Sequence, residues 1–453
     1  GIISSTSAGN ATSQQPNTYA RVTNLAPWVM TAANSYHGRT QSNDVSVISM
    51  MPVPDILIGM YSVISNAVAL VMDIQSPIVY SKDIDDNNEK GCLTWNPLDF
   101  DGSVALIKSG DCSNEMKVQN AQDAGALAVI IFNADSDLPE LMSGINSPTI
   151  PATMIGLADA NNVINYIHEN APEPSAIEIL AETTHKIVDA LGMVLYHSSL
   201  RGPNNNFNIT KPDITAPGSH VFAAIAELGQ PAPQYYTATG TSQSTAVISG
   251  SMALIKSLRP NLSPSEIKSV MMLSANNSIV FDNGNNTNPD DIGSGMLDLV
   301  KAVNTPLVMD ENLENYTNAN PAIGGLAETL NIASLRNNSC ANGCRWTRTL
   351  TNKSDNVHSW TISANTDSGS EIAISGIAIS GDNLPIENIS TLGFNLVPEQ
   401  SISLEIEYRL LSVPVNEYRF ATITFTSTQE TVPQSQLSMV VYLDDFIFNN
   451  GFE

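Results

Sequence analysis

The chain has 453 residues, more than one hydrophobic core ordinarily serves, which predicts about three domains. Its 45 acidic residues against 19 basic ones give a formal net charge of −26, which argues against nucleic acid and anionic membranes as partners, because both bind clustered Lys and Arg. No stretch reaches the length of about 18 apolar residues that a membrane-spanning helix needs, and the longest candidate, residues 56–72, carries Ser62, Ser65 and Asn66.

The first block, residues 1–55, begins with residues typical of the middle of a strand. The chain begins with Gly rather than Met, and residues 1–5 resemble part of a buried strand, where a domain seldom begins. We therefore expect that an N-terminal part of the natural protein, with any signal peptide, lies before Gly1. Two short strands are predicted after this opening, at 22–23 and at 28–30.

The second block, residues 56–185, alternates strand and helix patterns and predicts a compact domain. Residues 103–107 and the nearly all-apolar 126–132 are predicted strands, and the second of them is expected to be buried on both faces of its sheet. Residues 115–124 predict a helix that stops at Gly125. The inward residues of this helix are expected to be Val118 and Ala121.

The third block, residues 186–308, returns to alternating strands and helices. A helix is predicted over 244–258, with small residues facing a sheet so that the two can pack closely. The predicted inward residues are Ala246, Gly250 and Ala253, followed by Leu254 and Leu258. The next helix has the clearest start, because Ser263 can cap it and Glu266 can complete a capping box.

The fourth block, residues 309–445, predicts an all-β sandwich. Two of its segments alternate apolar and polar residues with a period of two, as strands with one buried face do. The apolar positions of these segments are Ile402, Leu404 and Ile406, and Ala421, Ile423 and Phe425. The acidic and aromatic tail, 446–453, is expected to be a frayed terminus rather than a sorting signal.

The four cysteines form two local pairs that lie far apart in the chain: Cys92 with Cys112, and Cys340 with Cys344. Such pairs favour two disulfides and an oxidising, extracellular compartment. A zinc site is the alternative for the second pair, but no further His or Cys lies near it in the sequence to complete four ligands.

An acidic run occupies residues 83–89, but its spacing is not that of an EF-hand loop. The run therefore favours a solvated loop over a calcium site, and we predict no metal and no cofactor.

The segment 240–246 holds the residues with the strongest chemical signal, because Ser242 directly precedes the predicted helix. A serine hydroxyl is a poor nucleophile and needs a base, together with hydrogen-bond donors for the oxyanion that forms. The first turn of a helix offers unpaired N–H groups and a dipole that favours negative charge. Gly240 would let a substrate backbone approach closely. For an isolated Gly-Thr-Ser, a simple helix cap would be the better interpretation.

Other segments stand around this serine in a characteristic order. They are Ser-Ala-Gly-Asn at 7–10, Ser-Ser-Leu-Arg-Gly-Pro-Asn at 198–204, Lys-Pro-Asp-Ile-Thr-Ala-Pro-Gly at 211–218, the helix pattern 263–275 and Gly-Ser-Gly-Met-Leu-Asp at 293–298. Together with 240–246 they closely resemble the subtilisin-like serine proteases, or subtilases. The resemblance implies a parallel α/β core that hydrolyses polypeptides.

By this resemblance Ser242 is the nucleophile and Asn10 donates from its side chain to the oxyanion, with the backbone N–H of Ser242 as second donor. Substrate-binding positions would be Ala8 and Gly9 in the specificity pocket, and Gly240 and Thr241 beside the nucleophile.

The second and fourth blocks also resemble domains of larger subtilases. Residues 56–185, which lie between the oxyanion Asn and the Ser, resemble an inserted protease-associated (PA) domain of α+β type, which implies a Cys92–Cys112 bridge. Residues 309–445, with Trp346 and Trp360, resemble a fibronectin type III-like domain.

The sequence departs from the family in its catalytic triad, whose Asp and His should both precede Asn10. Residues 1–9 contain neither. The chain alone is therefore expected to be inactive, with a core sheet that is incomplete at its N-terminus. The alternative is a non-catalytic extracellular protein that binds polypeptide or polysaccharide. We predict surface or structural roles for all six histidines, which are His37, His168, His185, His197, His220 and His358.

Overall fold

The computed structural model describes residues 2–12, 15–65, 68–140, 142, 144–188, 191–204, 207–225, 234–340, 343–366, 370–378, 393–410 and 416–443. The predicted tail, 446–453, lies outside these residues. Among the helices of this part of the chain, none combines the length and the apolar character that crossing a membrane requires.

The strands of the described residues are, in chain order, β1 (Ser5–Ser7), β2 (Met30–Ser35), β3 (Arg39–Ile48), β4 (Ser62–Ile64), β5 (Ile74–Tyr80), β6 (Val104–Lys108), β7 (Ala128–Phe132), β8 (Ala152–Ile155), β9 (Ala176–Ile187), β10 (Ile214–Pro217), β11 (Val221–Ile225), β12 (Gln234–Ala238), β13 (Leu307–Val308), β14 (Ser334–Asn337), β15 (Cys344–Asn352), β16 (His358–Thr366), β17 (Ser370–Ala378), β18 (Gly393–Leu396), β19 (Ser401–Leu410), β20 (Glu417–Ser427) and β21 (Ser435–Leu443). The α-helices are α1 (Ser81–Ile84), α2 (Asn114–Asp123), α3 (Leu157–Asn170), α4 (Thr241–Leu258), α5 (Pro264–Leu273), α6 (Pro289–Ile292), α7 (Leu299–Asn304) and α8 (Leu313–Asn318).

The chain divides into two compact units. The core unit comprises Gly1–His37, Met193–Val221 and Ala238–Glu453, and the middle unit comprises Gly38–Gly192 and Phe222–Thr237. The predicted block 56–185 therefore lies inside a larger unit.

Strand pairing explains why the boundaries of the compact units differ from those of the predicted blocks. β3, which precedes residue 56, pairs antiparallel with β9 and so belongs to the same sheet as the rest of the middle unit. Likewise β13 lies at the predicted end of the third block, residue 308, but it pairs with β15 of the strand-rich C-terminal region through Leu307 and Asn352.

The core unit contains a parallel three-stranded sheet of order β1-β2-β10. Every residue of β2 is buried, as expected for the central strand. The predicted strand at 28–30 was wrong for Trp28 and Val29, because the carbonyl of Val29 instead accepts hydrogen bonds from Lys211 and Lys268. The predicted strand at 22–23 was also wrong: these residues form no ladder, and the Thr23 N–H donates to the carbonyl of Ala8.

Helix α4 begins at Thr241, three residues earlier than predicted, and it buries a different face. The predicted inward residues Ala246, Gly250 and Ala253 are exposed, and Leu254 and Leu258 are exposed as well. The buried face instead carries Thr241, Ser244, Ile248, Ser251, Met252 and Ile255. Apolar residues occur all around this helix, so that its periodicity did not select a face.

The next helix starts as predicted. Ser263 accepts a hydrogen bond from the Glu266 N–H, and the Glu266 carboxylate accepts from the Ser263 N–H, which completes the capping box of α5.

The C-terminal half of the core unit is rich in strands, as predicted for 309–445. Its two sheets have the orders β13-β15-β19-β17 and β14-β21-β20-β16-β18. All six alternating positions predicted to be apolar and inward are buried. They share one hydrophobic cluster with Ile267 and Val270 of α5, so that this half and the α/β part have a continuous core.

The middle unit is a seven-stranded mixed sheet of order β3-β9-β5-β6-β7-β8-β4. The predicted strands at 103–107 and 126–132 correspond to β6 and β7, which pair in parallel. Alternate residues of both strands enter two separate hydrophobic clusters, with Leu106 and Ile130 in one and Ile107 and Ile131 in the other. Burial on both faces is therefore confirmed.

Helix α2 covers one face of this sheet with the predicted residues Val118 and Ala121, both fully buried. Gly125 ends the helix region with a φ of 96°, and a Cβ there would lie 3.0 Å from the backbone of Asp101. The predicted Cys92–Cys112 disulfide is present, with an S–S distance of 2.07 Å.

Lys117 lies beneath this disulfide, and its titration should make the free energy of unfolding depend on pH. Its Nζ donates to the carbonyls of Lys90 (2.5 Å) and Gly110 (2.6 Å) and lies 3.5 Å from the Cys112 Sγ. Burial lowers the pKa of this ammonium group to about 8. The folded state therefore releases the proton before the unfolded state does, and the free energy of unfolding should rise with pH above about 8, until the unfolded lysine titrates near 10.4.

We expect Lys117→Met to reduce this rise. Chemical denaturation of both proteins at about pH 7.5 and about pH 9.5 measures it. The exposed Lys82, changed to Met, is the matched control and should leave the rise as it is. Equal pH slopes for the native chain and Lys117→Met would contradict the prediction.

Candidate active site

Ser242 is the second residue of α4, and its side chain is exposed at the first turn of the helix. Its backbone N–H makes no hydrogen bond to any described residue, as is usual for the first N–H groups of a helix. The site therefore offers an accessible hydroxyl, an unpaired donor and the positive end of the α4 dipole in one place.

Asn10 follows β1 and lies at the same helix terminus, although 231 residues separate it from Thr241. Its Oδ1 accepts hydrogen bonds from the Thr241 backbone N–H (3.0 Å) and from the Thr241 hydroxyl (3.2 Å). The Thr241 hydroxyl in turn accepts from the Gly9 N–H at 3.2 Å. Asn10 thus caps α4 from another part of the chain, and its Nδ2 remains available as a donor.

Gly240 is needed for this arrangement. A Cβ on Gly240 would lie 3.3 Å from the Asn10 Nδ2 and 3.2 Å from the Gln243 Oε1. Any side chain at position 240 would therefore crowd the amide donor. The close approach of a substrate backbone at Gly240 stays a prediction; what the structure shows is that Gly240 makes room for Asn10.

Gly9 and Ala8 lie beneath Asn10 and are closely packed. Gly9 has a φ of 105°, and a Cβ on it would lie 2.7 Å from the Leu200 Cδ1. The Gly9 carbonyl accepts from the Leu200 N–H at 3.0 Å. Ala8 is fully buried, its N–H donates to Ala32 and its carbonyl accepts from Thr23. Leu200, in the 198–204 segment, is therefore part of the support beneath the site.

Behind the first turn of α4 lies a buried polar group that sequence analysis missed. The Ser244 hydroxyl donates to the Ala216 carbonyl at 2.9 Å and lies 3.3 Å from the Asn34 Oδ1. A Cβ on Gly218 would lie only 2.1 Å from that hydroxyl. Asn34, the segment 216–218 and Ser244 lie far apart in the sequence. The only sequence signal for this group is therefore the small size of the residues at 218 and 244.

The predicted roles of the histidines are compatible with their surroundings. Within the described residues, the Ser242 hydroxyl makes no hydrogen bond to a histidine. His220 is buried, and burial lowers its pKa to about 4, so that it is neutral at ordinary pH. In the middle unit, His168 lies 2.9 Å from the carboxylate of Asp83.

No metal centre is found among the described residues, since no three His, Cys, Asp or Glu side chains there converge as a metal site requires. Cys340 and Cys344 form a disulfide with an S–S distance of 2.00 Å, which replaces the zinc alternative. Acidic residues of the 83–89 run pair with nearby side chains, as Asp86 does with Lys82 at 3.5 Å.

Comparisons with known proteins identify the family of the chain. The subtilase family matches residues 1–295. The subtilisin-like protease SBT4.3 of Arabidopsis thaliana is 28% identical over 361 residues, which is 75% of this chain and 45% of that protein. The subtilisin-like protease SBT3 of Solanum lycopersicum is 28% identical over 335 residues, or 70% of this chain and 41% of that protein. The chain thus spans less than half the length of these relatives.

Among solved structures, the psychrophilic subtilisin-like protease Apa1 from the Antarctic psychrotroph Pseudoalteromonas sp. AS-11 is 12% identical, with a TM-score of 0.32 over 67% of this chain and 64% of that chain. The family match takes in more than half of the present chain and includes both Asn10 and Ser242. The chain therefore belongs to the subtilase family.

Proposed function

We propose that Ser242 is the nucleophile of a serine endopeptidase. Its Oγ would attack the scissile carbonyl and lose its proton to a base, and the tetrahedral intermediate would expel the amine, which takes up that proton. Water would then hydrolyse the acyl-enzyme. The observation that supports the proposal is the contact of Asn10 with Thr241, because Thr241 is the neighbour of Ser242 in the first turn of α4, so that the contact holds the Asn10 amide at the helix terminus that carries the exposed hydroxyl.

The oxyanion would be stabilised by two donors, the Asn10 Nδ2 and the Ser242 backbone N–H. Both belong to rigid elements: Asn10 is tied to Thr241 through its Oδ1, and Ser242 lies within the first turn of α4. Donors fixed in advance need little reorganisation as charge develops, which is how such sites accelerate acyl transfer.

The base and its orienting carboxylate have no candidates before Asn10, since residues 1–9 contain neither His nor Asp. In the order typical of the family, Asp and then His precede the oxyanion Asn. The 453 residues by themselves would therefore be inactive, and the two groups would have to come from another polypeptide segment.

The remaining parts fit the architecture of larger extracellular subtilases. Residues 56–185 would be a PA domain inserted between Asn10 and Ser242, and residues 309–445 a fibronectin type III-like domain. Two disulfides and an acidic surface support an oxidising, extracellular setting and a polypeptide substrate.

Two variants at Asn10 test the oxyanion role. Once the Asp- and His-bearing segment is supplied, Asn10→Ala should lower kcat about 10²- to 10³-fold with little change in KM, because the donor acts on the transition state. Asn10→Asp keeps an acceptor for the Thr241 N–H but loses the amide donor. It should therefore lose activity while its thermal stability stays close to that of the parent.

The exposed Asn17, changed to Ala, is the matched control and should leave kcat unchanged. Activity that survives both Asn10 variants would contradict the oxyanion role. A fluorophosphonate probe separates this proposal from a non-catalytic binding protein: labelling of the complemented protein at Ser242 supports the protease, and absence of labelling supports the binding protein.

A further inference from the structure

A small cavity of about 250 Å³ lies within the core unit, away from Ser242. We call it the amide pocket and define it by Asn288 and Ser294 on one side and by Asn365, Thr422, Gln436 and Ser438 of the sandwich on the other. None of the described side chains that line it is charged, although the whole chain carries a net charge of −26. The pocket is therefore polar without being charged.

The sandwich side of the pocket is a straight row of polar side chains. Thr422 of β20 pairs with Asn365 of β16 and with Ser438 of β21, so that the three lie side by side across neighbouring strands. Paired residues point to the same face of a sheet, and the flanking Ile423 and Met439 belong to the hydrophobic core on the opposite face. The row is thus directed away from the core and towards the α6 side.

Two hydroxyl groups at this pocket lack partners. The Oγ atoms of Ser294 and Ser438 are buried and make no hydrogen bond within the described part of the chain, and the two residues are only 3% and 8% exposed. Gln436 uses its Nε2 to donate to the carbonyls of Ala275 and Ser294, which leaves its Oε1 as an acceptor. A buried hydroxyl without a partner destabilises the folded state, and such groups in native proteins usually bind water or a ligand.

We infer that the amide pocket binds a neutral sugar ring. Amides and hydroxyls supply both donors and acceptors, as a ligand with several hydroxyl groups requires, and the absence of charge disfavours ions and phosphorylated ligands. The half-buried Phe420, which also lines the pocket, offers an apolar ring surface for the C–H face of a sugar. The volume lies just below the roughly 300–1,000 Å³ of pockets for drug-sized ligands, which suits one ring.

An extended peptide fits these observations less well. Thr422, at the centre of the row, lies on β20, whose backbone pairs with β16 on one side and with β21 on the other. A peptide could not add to the sheet there and would lose its main source of affinity in such complexes. The inference does not depend on the proposed protease activity, since Ser242 takes no part in it.

Binding of neutral saccharides to the whole 453-residue chain tests the inference. Saturation-transfer NMR and calorimetry with mono- and trisaccharides of glucose, galactose, mannose and N-acetylglucosamine should find at least one ligand. Asn365→Ala should weaken its binding at least about tenfold, since a well-placed polar contact contributes around 1.4 kcal/mol or more. Ser363→Ala is the matched control, on the same strand and face but outside the pocket, and should leave the affinity unchanged.

Ser438→Ala separates ligand binding from folding. It removes a buried hydroxyl that has no partner, so that thermal stability should be retained or increased while sugar affinity falls. The inference is overturned if no saccharide of the panel binds at millimolar concentration, if a peptide competes for the same site with higher affinity, or if Asn365→Ala and Ser363→Ala behave alike.

Discussion

The purified 453-residue chain is expected to hydrolyse a denatured protein substrate no faster than its Ser242→Ala variant. The Ser242 hydroxyl is exposed and the proposed oxyanion donor Asn10 is bound to the neighbouring Thr241, but no histidine among the described residues shares a hydrogen bond with the Ser242 hydroxyl. In subtilisin itself, loss of the catalytic histidine lowers kcat about 10⁶-fold, a magnitude that belongs to that enzyme. Release of peptides from fluorescent casein, compared between the two chains, measures this.

Adding the missing groups should change the outcome. A polypeptide that carries the Asp- and His-bearing segment of a subtilase, fused before Gly1 or supplied separately, should raise the rate by at least about 10³-fold. The same addition to Ser242→Ala is the control and should give no gain. Strong hydrolysis by the isolated chain that Ser242→Ala abolishes would disprove the expectation, because the base would then lie within these residues.

The second large effect is expected at Asp213, just before β10. Its carboxylate is buried between two ammonium groups, with Lys211 at 2.5 Å and Lys268 at 2.8 Å, and it accepts the Thr31 backbone N–H at 2.6 Å. Asp213→Asn keeps the shape but removes the counter-charge of Lys268 and of Lys211, and burial already lowers the pKa of Lys211 to about 7. The free energy of unfolding should fall by about 3–5 kcal/mol, as when one partner of a buried ion pair is removed.

Urea unfolding at neutral pH measures this loss. Asp86→Asn is the matched control, because the ion pair of Asp86 with Lys82 is exposed and should contribute less than about 1 kcal/mol. An equal effect of the two substitutions would show that the buried cluster is not a strong constraint on the fold.

Because of the Asp213 carboxylate, we expect the free energy of unfolding to depend on pH in the acid range. Burial raises the pKa of Asp213, but the neighbouring ammonium groups of Lys211 and Lys268 outweigh this, so that its pKa lies below the ordinary value. A carboxyl group whose pKa is lowered by folding stabilises the protein above its unfolded pKa, near 3.9, and this contribution is lost as the pH falls through the folded value. Asp213→Asn should lose less stability than the parent over that acid range.

Local chemistry could be predicted from the sequence where neighbours along the chain decide it. The capping box of Ser263 and Glu266 needs only four consecutive residues, and the alternation of Ile402, Leu404 and Ile406 needs only a strand with one buried face. The disulfides follow the same rule, since each joins cysteines that are close in sequence. Ser242 itself was identifiable because its motif stands in a series of others.

Contacts between distant segments were decided by the tertiary structure. The buried face of α4 was predicted incorrectly because the helix carries apolar residues on all of its sides. Packing against β2 and its neighbours buries Ser244 and Ile248 and leaves Ala246 and Gly250 exposed. The boundaries of the middle unit depended on the pairing of β3 with β9, and this pairing cannot be predicted from the residues within either strand.

In the candidate site, too, the sequence determined local properties and the tertiary structure determined the contacts between distant segments. The sequence by itself determined which residues are candidates for its chemistry, Asn10 and Ser242, because their types and flanking motifs are local properties of the chain. It could not determine that the Thr241 N–H and hydroxyl fix the Asn10 amide, or that Leu200 packs beneath Gly9. Those facts required the folded chain, because hydrogen bonds and packing act over ångströms in space, whatever the separation along the sequence.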